Sequence, residues 1–267
     1  MIRVFVTGAS GNVGRTIVRT MRDRDGFELS GGWCLETGED LGVLAGIEPV
    51  HVKSSATLDE GLSLSMPDIV IDFSVAGILE GNMKSYIKAG LNAVIGATGL
   101  SEEQLETFRK EVAAKGLRWA VIPNFGLGIS LVSDFIKKVR QFYPYVSITD
   151  QHTNEMANAP SGTAVALAHA ASEAPFGPVA SRETYPGVMG GHIHGVQVLS
   201  RRLPFPGPYS EHEITLARKD EIIRITVQDH TSDVYMDGVF LTAEKLSGFP
   251  EGTFLRSMSE VMESCML

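Results

Sequence analysis

A glycine-rich turn near the start of the chain constrains its fold more than any other feature. Residues 8–14, Gly-Ala-Ser-Gly-Asn-Val-Gly, follow the apolar run at 4–6 and open a segment whose apolar residues have helical spacing. Glycines at this spacing permit a tight turn and a close approach of backbone to a pyrophosphate, which the amides of the helix N-terminus can bind. The turn is either a dinucleotide site or a plain strand-to-helix connection, and its place after an N-terminal strand favours the dinucleotide site.

The rest of the first half alternates short apolar runs with helical patterns. The predicted strands are residues 4–6, 27–35, 69–73, 93–95 and 119–122. The predicted helices are residues 12–21, residues 78–88 and a segment that begins at Ser101 with a cap and an acidic first turn. Regular alternation of this kind is typical of right-handed βαβ units, and therefore of the doubly wound parallel sheet of a Rossmann fold.

The pattern changes after Asn124. Helices are predicted at 129–143 and after Pro160, and strands at 146–151, 194–201, 212–216 and 222–227. Consecutive strands joined by turns predict a mostly antiparallel sheet, and two helical stretches at 238–245 and 253–262 follow it. We therefore expect a dinucleotide-binding domain of residues 1–125, completed by the helices in 238–267. An α+β domain of residues 126–237 is expected to bind substrate and to form oligomers.

Charge and cysteine usage exclude several classes of partner. The chain has 267 residues, a formal net charge of -9 and a sequence pI of about 5.3. Such a surface repels nucleic-acid phosphates and anionic lipid, so we expect neither nucleic acid nor membrane as a partner. Two cysteines, Cys34 and Cys265, are too few for a disulfide framework and are expected to be reduced. Because the sequence shows no signal peptide and no long apolar run, we expect a cytoplasmic protein.

The segment from His152 to Ala164 resembles the signature of the dihydrodipicolinate reductases, which reads His-His-x-x-Lys-x-Asp-Ala-Pro-Ser-Gly-Thr-Ala. Residues 159–164, Ala-Pro-Ser-Gly-Thr-Ala, agree in full. Residues 96–99, Gly-Ala-Thr-Gly, resemble the family's Gly-Thr-Thr-Gly, and residues 123–128 resemble the Asn-Phe-Ser-x-Gly that lies beside the nicotinamide. His194-Gly195-Val196 is similar to a His-Ser-Val segment of the substrate domain. These motifs occur in the same order as in the family and span nearly the whole chain.

The resemblance implies a reductase that moves a hydride from NADPH or NADH to the C=N bond of a cyclic imine carboxylate, and it implies a homotetramer. Glu36 is the candidate for the ribose, although it could equally be a solvated carboxylate, and Cys34 stands at the other plausible register. The preference between NADH and NADPH therefore stays open. The predicted cofactor contacts are Gly8, Ser10, Gly11, Asn12, Val13, Glu36, Phe73, Gly96, Thr98, Asn124 and Phe125.

The substrate half departs from the family pattern at several positions. Thr153 replaces the second histidine, Met156 replaces the lysine that is the family's proton donor, and Asn158 replaces the aspartate. In a late strand, Asp233 stands where the family has an arginine. The resemblance therefore leaves the true substrate and the proton donor open.

Five retained or substituted residues define the candidate substrate site. Ser161, Gly162 and Thr163 open a helix whose hydroxyls and amides can hold one carboxylate, unless they form only a helix cap. His152 can donate a proton near neutral pH, unless it is a packed or surface histidine. Met156 is expected to be a pocket wall.

Two function classes stay in competition. The first is the reductase, acting either on the lysine-pathway dicarboxylate or on another imine. The second is a dinucleotide-binding sensor without turnover, which the loss of the lysine allows. His192 and His194 would share one face of a strand, but they are too few to bind a metal, so no metal site is predicted.

Overall fold

The computed structural model of the chain describes residues 1–154, 156, 158–172, 181–205 and 209–264. The chain forms two compact units, Met1–Gly126 with Tyr235–Leu267 and Leu127–Val234, which we call the first and the second unit. Cys34 is buried with a free thiol, whereas the prediction for Cys265 falls outside the described residues. None of the helices in the described part of the chain combines the length and the apolar character that a membrane span requires.

The first unit is built on a six-stranded parallel sheet, which confirms the predicted Rossmann fold. Its strands are β1 (Ile2–Thr7), β2 (Phe27–Trp33), β3 (Ile69–Asp72), β4 (Asn92–Ile95), β5 (Trp119–Val121) and β11 (Phe254–Leu255), in the order β11-β5-β4-β3-β1-β2. Every residue of β3 is buried, as expected for a strand with both faces covered. Because β2 lies on one side of β1 and β3 on the other, the strand order reverses at β1, and ligands of such sheets bind at this point.

The helices of this unit begin and end at residues of the expected types. Ser101 and Gln104 form a capping box at the start of α5, and Gly90 ends α4 in the left-handed conformation with φ 70. The helices are α1 (Asn12–Arg22), α2 (Leu41–Leu44), α3 (Leu58–Ser65), α4 (Ala76–Ala89), α5 (Glu102–Ala114), α8 (Met236–Lys245) and α9 (Met258–Glu263).

Two stretches of the first unit differ from the sequence prediction. The connection between β2 and β3 contains the short helices α2 and α3, whose few apolar residues form no long periodic pattern. The helix predicted at 253–262 is wrong in its first half, because Phe254 and Leu255 pair with Trp119 and Ala120 as the edge strand β11. Tertiary pairing overrides the helical spacing there.

The second unit contains a five-stranded sheet that is mostly antiparallel, as predicted. Its strands are β6 (Tyr145–Thr153), β7 (Gly191–Ile193), β8 (Val196–Leu203), β9 (Ser210–Arg218) and β10 (Glu221–Asp229), in the order β10-β9-β6-β8-β7. Only the β6–β8 pair is parallel among these described strands. A parallel pair needs a crossover between its strands, and the chain passes through a helix on the way from β6 to β8.

Helices α6 (Leu127–Val139) and α7 (Gly162–Ala171) cover one face of this sheet. On β6 the residues that point to this face alternate with residues that point away from it. Val146 and Ile148 are at most 1% exposed and belong to the apolar core. The next two residues on the same face are Asp150 and His152, which are also buried. The buried stripe therefore changes from apolar to polar toward the end of the strand.

The turn between β7 and β8 corrects the prediction for His192 and His194. Ile193 pairs with Val196, so His194 and Gly195 form a two-residue hairpin turn with φ 50 and φ 82. The strand predicted to begin at His194 therefore begins two residues later. His192 lies on β7 and His194 lies in the turn, so the prediction that they share a strand face is wrong.

Candidate active site

The glycine-rich turn brings the start of α1 against the end of β1. Gly8 has a left-handed backbone with φ 77, and its amide donates to the Trp33 carbonyl at 2.9 Å. A Cβ at Gly14 would lie 2.1 Å from the Gly8 oxygen, so this position admits only glycine. Gly11 precedes α1 and is exposed, and no side chain of the described residues caps the helix there. The first amides of α1 are therefore available to an anion such as a pyrophosphate.

Glu36 and Ser10 lie together beside this turn. The hydrogen bond from the Ser10 side chain is the main cause that lowers the pKa of the exposed Glu36 carboxyl, and the positive charge of Arg15 acts in the same direction. A carboxylate beside the turn can bind ribose hydroxyls, whereas an arginine can accommodate a 2′-phosphate. No arginine lies next to Glu36 in the sequence, so the proximity of Arg15 becomes apparent only in the fold. Asn12 and Val13 begin α1, exposed and half-buried respectively.

Aromatic rings occupy the carboxyl ends of β3 and β5. The Phe73 ring fills the space beside Gly96, where a Cβ would lie 2.1 Å from its Cε1 atom. The Phe125 ring is buried, and its centroid lies 5.7 Å from that of Phe73. Asn124 accepts a hydrogen bond from the Gly126 amide at 2.7 Å, which shapes the turn on which Phe125 lies. Of the predicted cofactor contacts at this edge, Phe73, Gly96 and Asn124 are half-buried and Thr98 is exposed.

A buried carboxyl supports the turn after β3. Asp72 accepts hydrogen bonds from the Tyr86 hydroxyl and the Ser74 amide, both at 2.7 Å, and from the Asn82 amide group at 3.3 Å. Burial raises the pKa of Asp72, although these hydrogen bonds act in the opposite direction. The contacts fix the backbone next to Phe73. In the sequence Asp72 is recognisable only as part of a predicted strand, and this role is not predictable from it.

Three neighbouring strands of the second unit bring polar side chains together on the face that carries the helices. Asp150 on β6 pairs in register with Ser200 on β8 and with His212 on β9. Two residues further along β6, His152 pairs with Arg202 on β8. Residues two positions apart on a strand point to the same face, so both rows meet there. We call these five residues, together with Ser161, the Asp150 cluster.

One carboxylate oxygen of Asp150 is fully engaged. Its Oδ2 accepts hydrogen bonds from the Ser161 amide at 3.1 Å, the Ser200 hydroxyl at 3.0 Å and Arg202 Nη1 at 3.2 Å. Asp150 is 0% exposed, so these donors replace the water that an ionised carboxylate would otherwise keep.

The other oxygen of Asp150 faces two imidazoles. His152 Nε2 lies 2.9 Å and His212 Nε2 lies 3.4 Å from Oδ1, but neither contact between these described residues has the geometry of a directed hydrogen bond. Burial would raise the pKa of Asp150, yet the contacts with His152, His212 and Ser161 outweigh burial and hold it well below its usual value. Asp150 is therefore an anion at neutral pH, next to two groups that can carry protons.

The start of α7 is tied to the same carboxylate. Ser161 caps the helix by accepting from the Ala164 amide at 3.2 Å, and its hydroxyl lies 3.2 Å from His212 Nε2. Since Ser161 is 2% exposed and its amide binds Asp150, little of it can touch a ligand. Gly162 is exposed and Thr163 is half-buried, so these two residues present the helix N-terminus to solvent.

The two substituted positions lie in different surroundings. Met156 is 39% exposed, and its amide donates to the Thr153 carbonyl at 3.2 Å. Asp233 is exposed and accepts from the Thr231 hydroxyl at 2.9 Å in the short helical segment Ser232–Tyr235. Met156 thus offers a flexible apolar surface next to the Asp150 cluster.

The Asp150 cluster also contains residue types that bind metals. Ligand atoms of Asp150, His152 and His212 all lie within 4.8 Å of one another. The guanidinium of Arg202, however, already lies 3.2 Å from the same carboxylate and would repel a divalent cation. We therefore interpret these side chains as a proton-carrying group.

The family motif in the sequence points to His152 and Ser161 but not to the residues that surround them. Asp150, Ser200, Arg202 and His212 form the rest of the cluster. The only available signal is the Asp-x-His spacing on β6, which places two polar side chains on one strand face. The resemblance of His194-Gly195-Val196 to a His-Ser-Val segment does not point to Ser200, the serine whose hydroxyl donates to Asp150 at 3.0 Å.

Both halves of the chain match models of one family. The model "Dihydrodipicolinate reductase, N-terminus" matches residues 2–125, and the model "Dihydrodipicolinate reductase, C-terminus" matches residues 128–262. The 4-hydroxy-tetrahydrodipicolinate reductase of Desulfitobacterium hafniense is 31% identical over 252 residues, which cover 92% of this chain and 94% of that protein. The enzyme of the same name from Moorella thermoacetica is 29% identical over 249 residues, which cover 92% of each chain.

Solved structures agree with this assignment at the level of the fold. The dipicolinate-bound dihydrodipicolinate reductase from Paenisporosarcina sp. TG-14 superposes with a TM-score of 0.82 at 24% identity, covering 97% of this chain and 99% of that chain. Because the family models together span nearly the whole chain, the chain belongs to the dihydrodipicolinate reductase family and is an NAD(P)H-dependent oxidoreductase.

Proposed function

We propose that this chain is a cytoplasmic reductase that reduces the C=N bond of a cyclic imine carrying one carboxylate. The observation that carries the proposal is the set of groups offered to an anion. This set consists of one group of backbone donors, at Gly162 and Thr163, and of an uncharged thioether at Met156. The family lysine would add a positive charge at position 156. In the described residues, the guanidinium nearest to Met156 belongs to Arg202 and is already paired with Asp150.

The first unit fits a nicotinamide dinucleotide. A Cβ would fill the backbone cradle at Gly8 and Gly14, and the start of α1 is uncapped by side chains of the described residues. We propose that Gly8, Gly11, Asn12 and Val13 bind the pyrophosphate. The remaining proposed contacts are Ser10 and Glu36 at the ribose, and Phe73, Gly96, Thr98, Asn124 and Phe125 around the nicotinamide. When bound, the dinucleotide supplies the hydride, and the residues of the chain provide orientation and a proton.

The proposed substrate contacts lie at the start of α7. Amides at a helix N-terminus carry a partial positive charge and hold an anion, so Gly162 and Thr163 would bind the substrate carboxylate. Ser161 shapes this turn through its cap on Ala164, and Met156 forms a wall of the pocket. The carboxylate would thus be oriented without a charged side chain.

His152 is the proposed proton donor. The imine nitrogen must gain a proton when its carbon gains a hydride, and a histidine can supply it near neutral pH. The His152 ring is only 5% exposed, so we propose that it acts either directly at the pocket wall or through a water that it orients. Asp150 at 2.9 Å would stabilise the protonated ring.

The test is oxidation of NADH and NADPH in the presence of a panel of cyclic imines. Imine-dependent oxidation that exceeds the background by orders of magnitude is expected for at least one monocarboxylate. His152→Gln should lower kcat on that substrate while NADPH affinity stays unchanged. Tight dinucleotide binding with no turnover of any imine would favour the sensor instead.

The dinucleotide site leads to a prediction at Gly11. Of the atoms in the described residues, a Cβ at this exposed position would approach only the Gly8 oxygen, at 3.2 Å, so Gly11→Val should still fold. The added methyls would hold the pyrophosphate away from the α1 amides. Loss of one charge-assisted hydrogen bond, worth roughly 1.5–3 kcal/mol, weakens NADPH binding at least ~10-fold.

Isothermal titration calorimetry on folded Gly11→Val measures this effect. Gly81→Ala is the matched control, because a Cβ at Gly81 has no atom of a described residue within 4 Å and Gly81 lies on α4. Unchanged affinity in Gly11→Val would remove the pyrophosphate from this turn.

We also propose a homotetramer. The face of the second sheet that points away from α6 and α7 carries half-buried or exposed polar side chains such as Thr149, Gln151, Glu213 and Arg224. Mixed charges and hydroxyls suit pairing with a second copy of the same face. Four chains of 28.8 kDa give a mass of about 115 kDa, which light scattering at micromolar concentration should show. A mass of about 29 kDa under those conditions would contradict the proposal.

A further inference from the structure

The guanidinium of Arg202 donates to four acceptors next to the proposed substrate pocket. Its side chain is 19% exposed and lies on β8, opposite His152 on β6. Nη1 donates to Asp150 Oδ2 at 3.2 Å and to the Arg201 carbonyl at 2.7 Å. Nε donates to the Met156 carbonyl at 3.3 Å, and Nη2 donates to the Asn158 carbonyl at 2.5 Å. One side chain therefore joins the sheet to the segment that follows β6.

The geometry of these contacts requires an arginine. Three different nitrogens of one planar group reach acceptors that lie in different directions. A lysine has a single nitrogen and could keep the ion pair with Asp150, but it could not also reach both carbonyls. The guanidinium thus has two roles. Nη1 pairs with the buried carboxylate of Asp150, whereas Nε and Nη2 bind backbone carbonyls.

We propose that Arg202 is a positioning residue that fixes the segment bearing Met156 against the sheet and thereby sets the shape of the substrate pocket. The proposal rests on the proposed function only in that Met156 lines the pocket. Because Arg202 holds the Met156 carbonyl rather than its side chain, the place of the wall is independent of the residue type at this position. This explains how a thioether can stand at the family's lysine position without loss of the local backbone.

The same contacts assign no direct substrate role to Arg202. Its positive charge is balanced by Asp150, and four of its N–H groups are committed to acceptors of the chain. It therefore acts through the position of the segment and through Asp150, which contacts His152.

The first arm of the test measures the segment itself, without any substrate. Hydrogen exchange is followed in Arg202→Lys and in wild type, in the peptide that contains Met156 and Asn158. We expect exchange about 10-fold faster in Arg202→Lys, because lost charge-assisted hydrogen bonds ease local opening, with β6 still protected. Arg201→Lys is the matched control, since Arg201 is exposed and its side chain, within the described part of the chain, contacts only Glu211 at 3.8 Å. Equal exchange in Arg202→Lys and wild type would overturn the proposal.

The second arm separates pocket shape from charge in steady-state kinetics. Arg202→Lys should raise KM for the imine roughly 10- to 100-fold, as misplaced contacts do, and leave the Kd for NADPH within about twofold. Guanidinium ion, added well below denaturing concentrations, should lower KM again in Arg202→Ala but not in Arg201→Ala. Wild-type KM in Arg202→Lys would show that charge alone matters and would overturn the proposal.

The two arms also distinguish this proposal from the proposed function. If wild type reduces no imine but Arg202→Lys exchanges faster, the proposed function fails and the role of Arg202 stands. If wild type reduces an imine and Arg202→Lys matches it in both arms, the proposed function stands and the role of Arg202 fails.

Discussion

The lysine-pathway dicarboxylate is expected to react with a specificity constant roughly 10²- to 10⁴-fold below that of a suitable monocarboxylate imine. The start of α7 offers Gly162 and Thr163 to one carboxylate, and the thioether of Met156 offers neither charge nor N–H to a second one. Each missing charge-assisted hydrogen bond costs roughly 1.5–3 kcal/mol. Two such losses, at Met156 and at Asp233 in place of the family's lysine and arginine, produce the stated range at about 1.36 kcal/mol per decade. Arg202 cannot compensate, because Asp150 already neutralises it.

Steady-state kinetics on both classes of imine, with one preparation of enzyme, measures this ratio. Met156→Lys should raise kcat/KM for the dicarboxylate, while Met156→Leu, which keeps size and apolar character, should not. A wild-type specificity constant near ~10⁵ M⁻¹s⁻¹ on the dicarboxylate, ordinary for an enzyme, would show that a second carboxylate is bound by other means.

The Asp150→Asn variant is expected to lose about 3–5 kcal/mol of the free energy of unfolding, because the change leaves buried charge without its partner. Asp150 is 0% exposed and accepts from Ser161, Ser200 and Arg202 at once. An asparagine could still turn its carbonyl oxygen toward the three donors, but it carries no charge to balance the guanidinium. Denaturant unfolding measures the loss.

The matched control is Asp220→Asn, which removes a carboxylate from a surface ion pair. Asp220 lies 3.5 Å from Arg218, and its side chain is 79% exposed. This control should change stability by less than about 0.5 kcal/mol. Equal effects of the two substitutions would show that the Asp150 cluster is not a buried ionic site.

The effect at Asp150 should depend on pH with a defined sign. Its contacts hold the pKa of Asp150 well below its usual value, whereas in the unfolded chain the carboxyl titrates near ~3.9. A lowered pKa in the folded state stabilises the protein above ~3.9, and this stabilisation is lost as the pH falls further. The stability difference between wild type and Asp150→Asn should therefore shrink as the pH falls below about 4.

The first unit is largely predictable from sequence because its constraints are local. The contact between Gly8 and Gly14 arises within one strand-to-helix turn, and the buried strand β3 is a continuous apolar run. The strand β11 is not predictable in the same way. Its two residues carry no strand pattern, and only their pairing with β5 makes them a strand.

The Asp150 cluster lies beyond sequence reasoning for the same physical reason. Its members come from β6, β8, β9 and the start of α7, and their contacts depend on the order of the strands. Consecutive strands usually pair antiparallel in such a sheet, so nothing in the sequence indicates that β6 and β8 run parallel side by side. His152 is predictable from a motif, but the groups that surround it are not.

The register between β6 and β8 limits how this half of the chain can diverge. Asp150 faces Ser200 and His152 faces Arg202, and successive residues of a strand point to opposite faces. Insertion or deletion of one residue within β8 would turn both Ser200 and Arg202 away from their partners. Substitution of one side chain, as at Met156, leaves these cross-strand pairs intact. New substrate preferences can therefore evolve here by substitution, while gains and losses of residues are confined to the connections between strands.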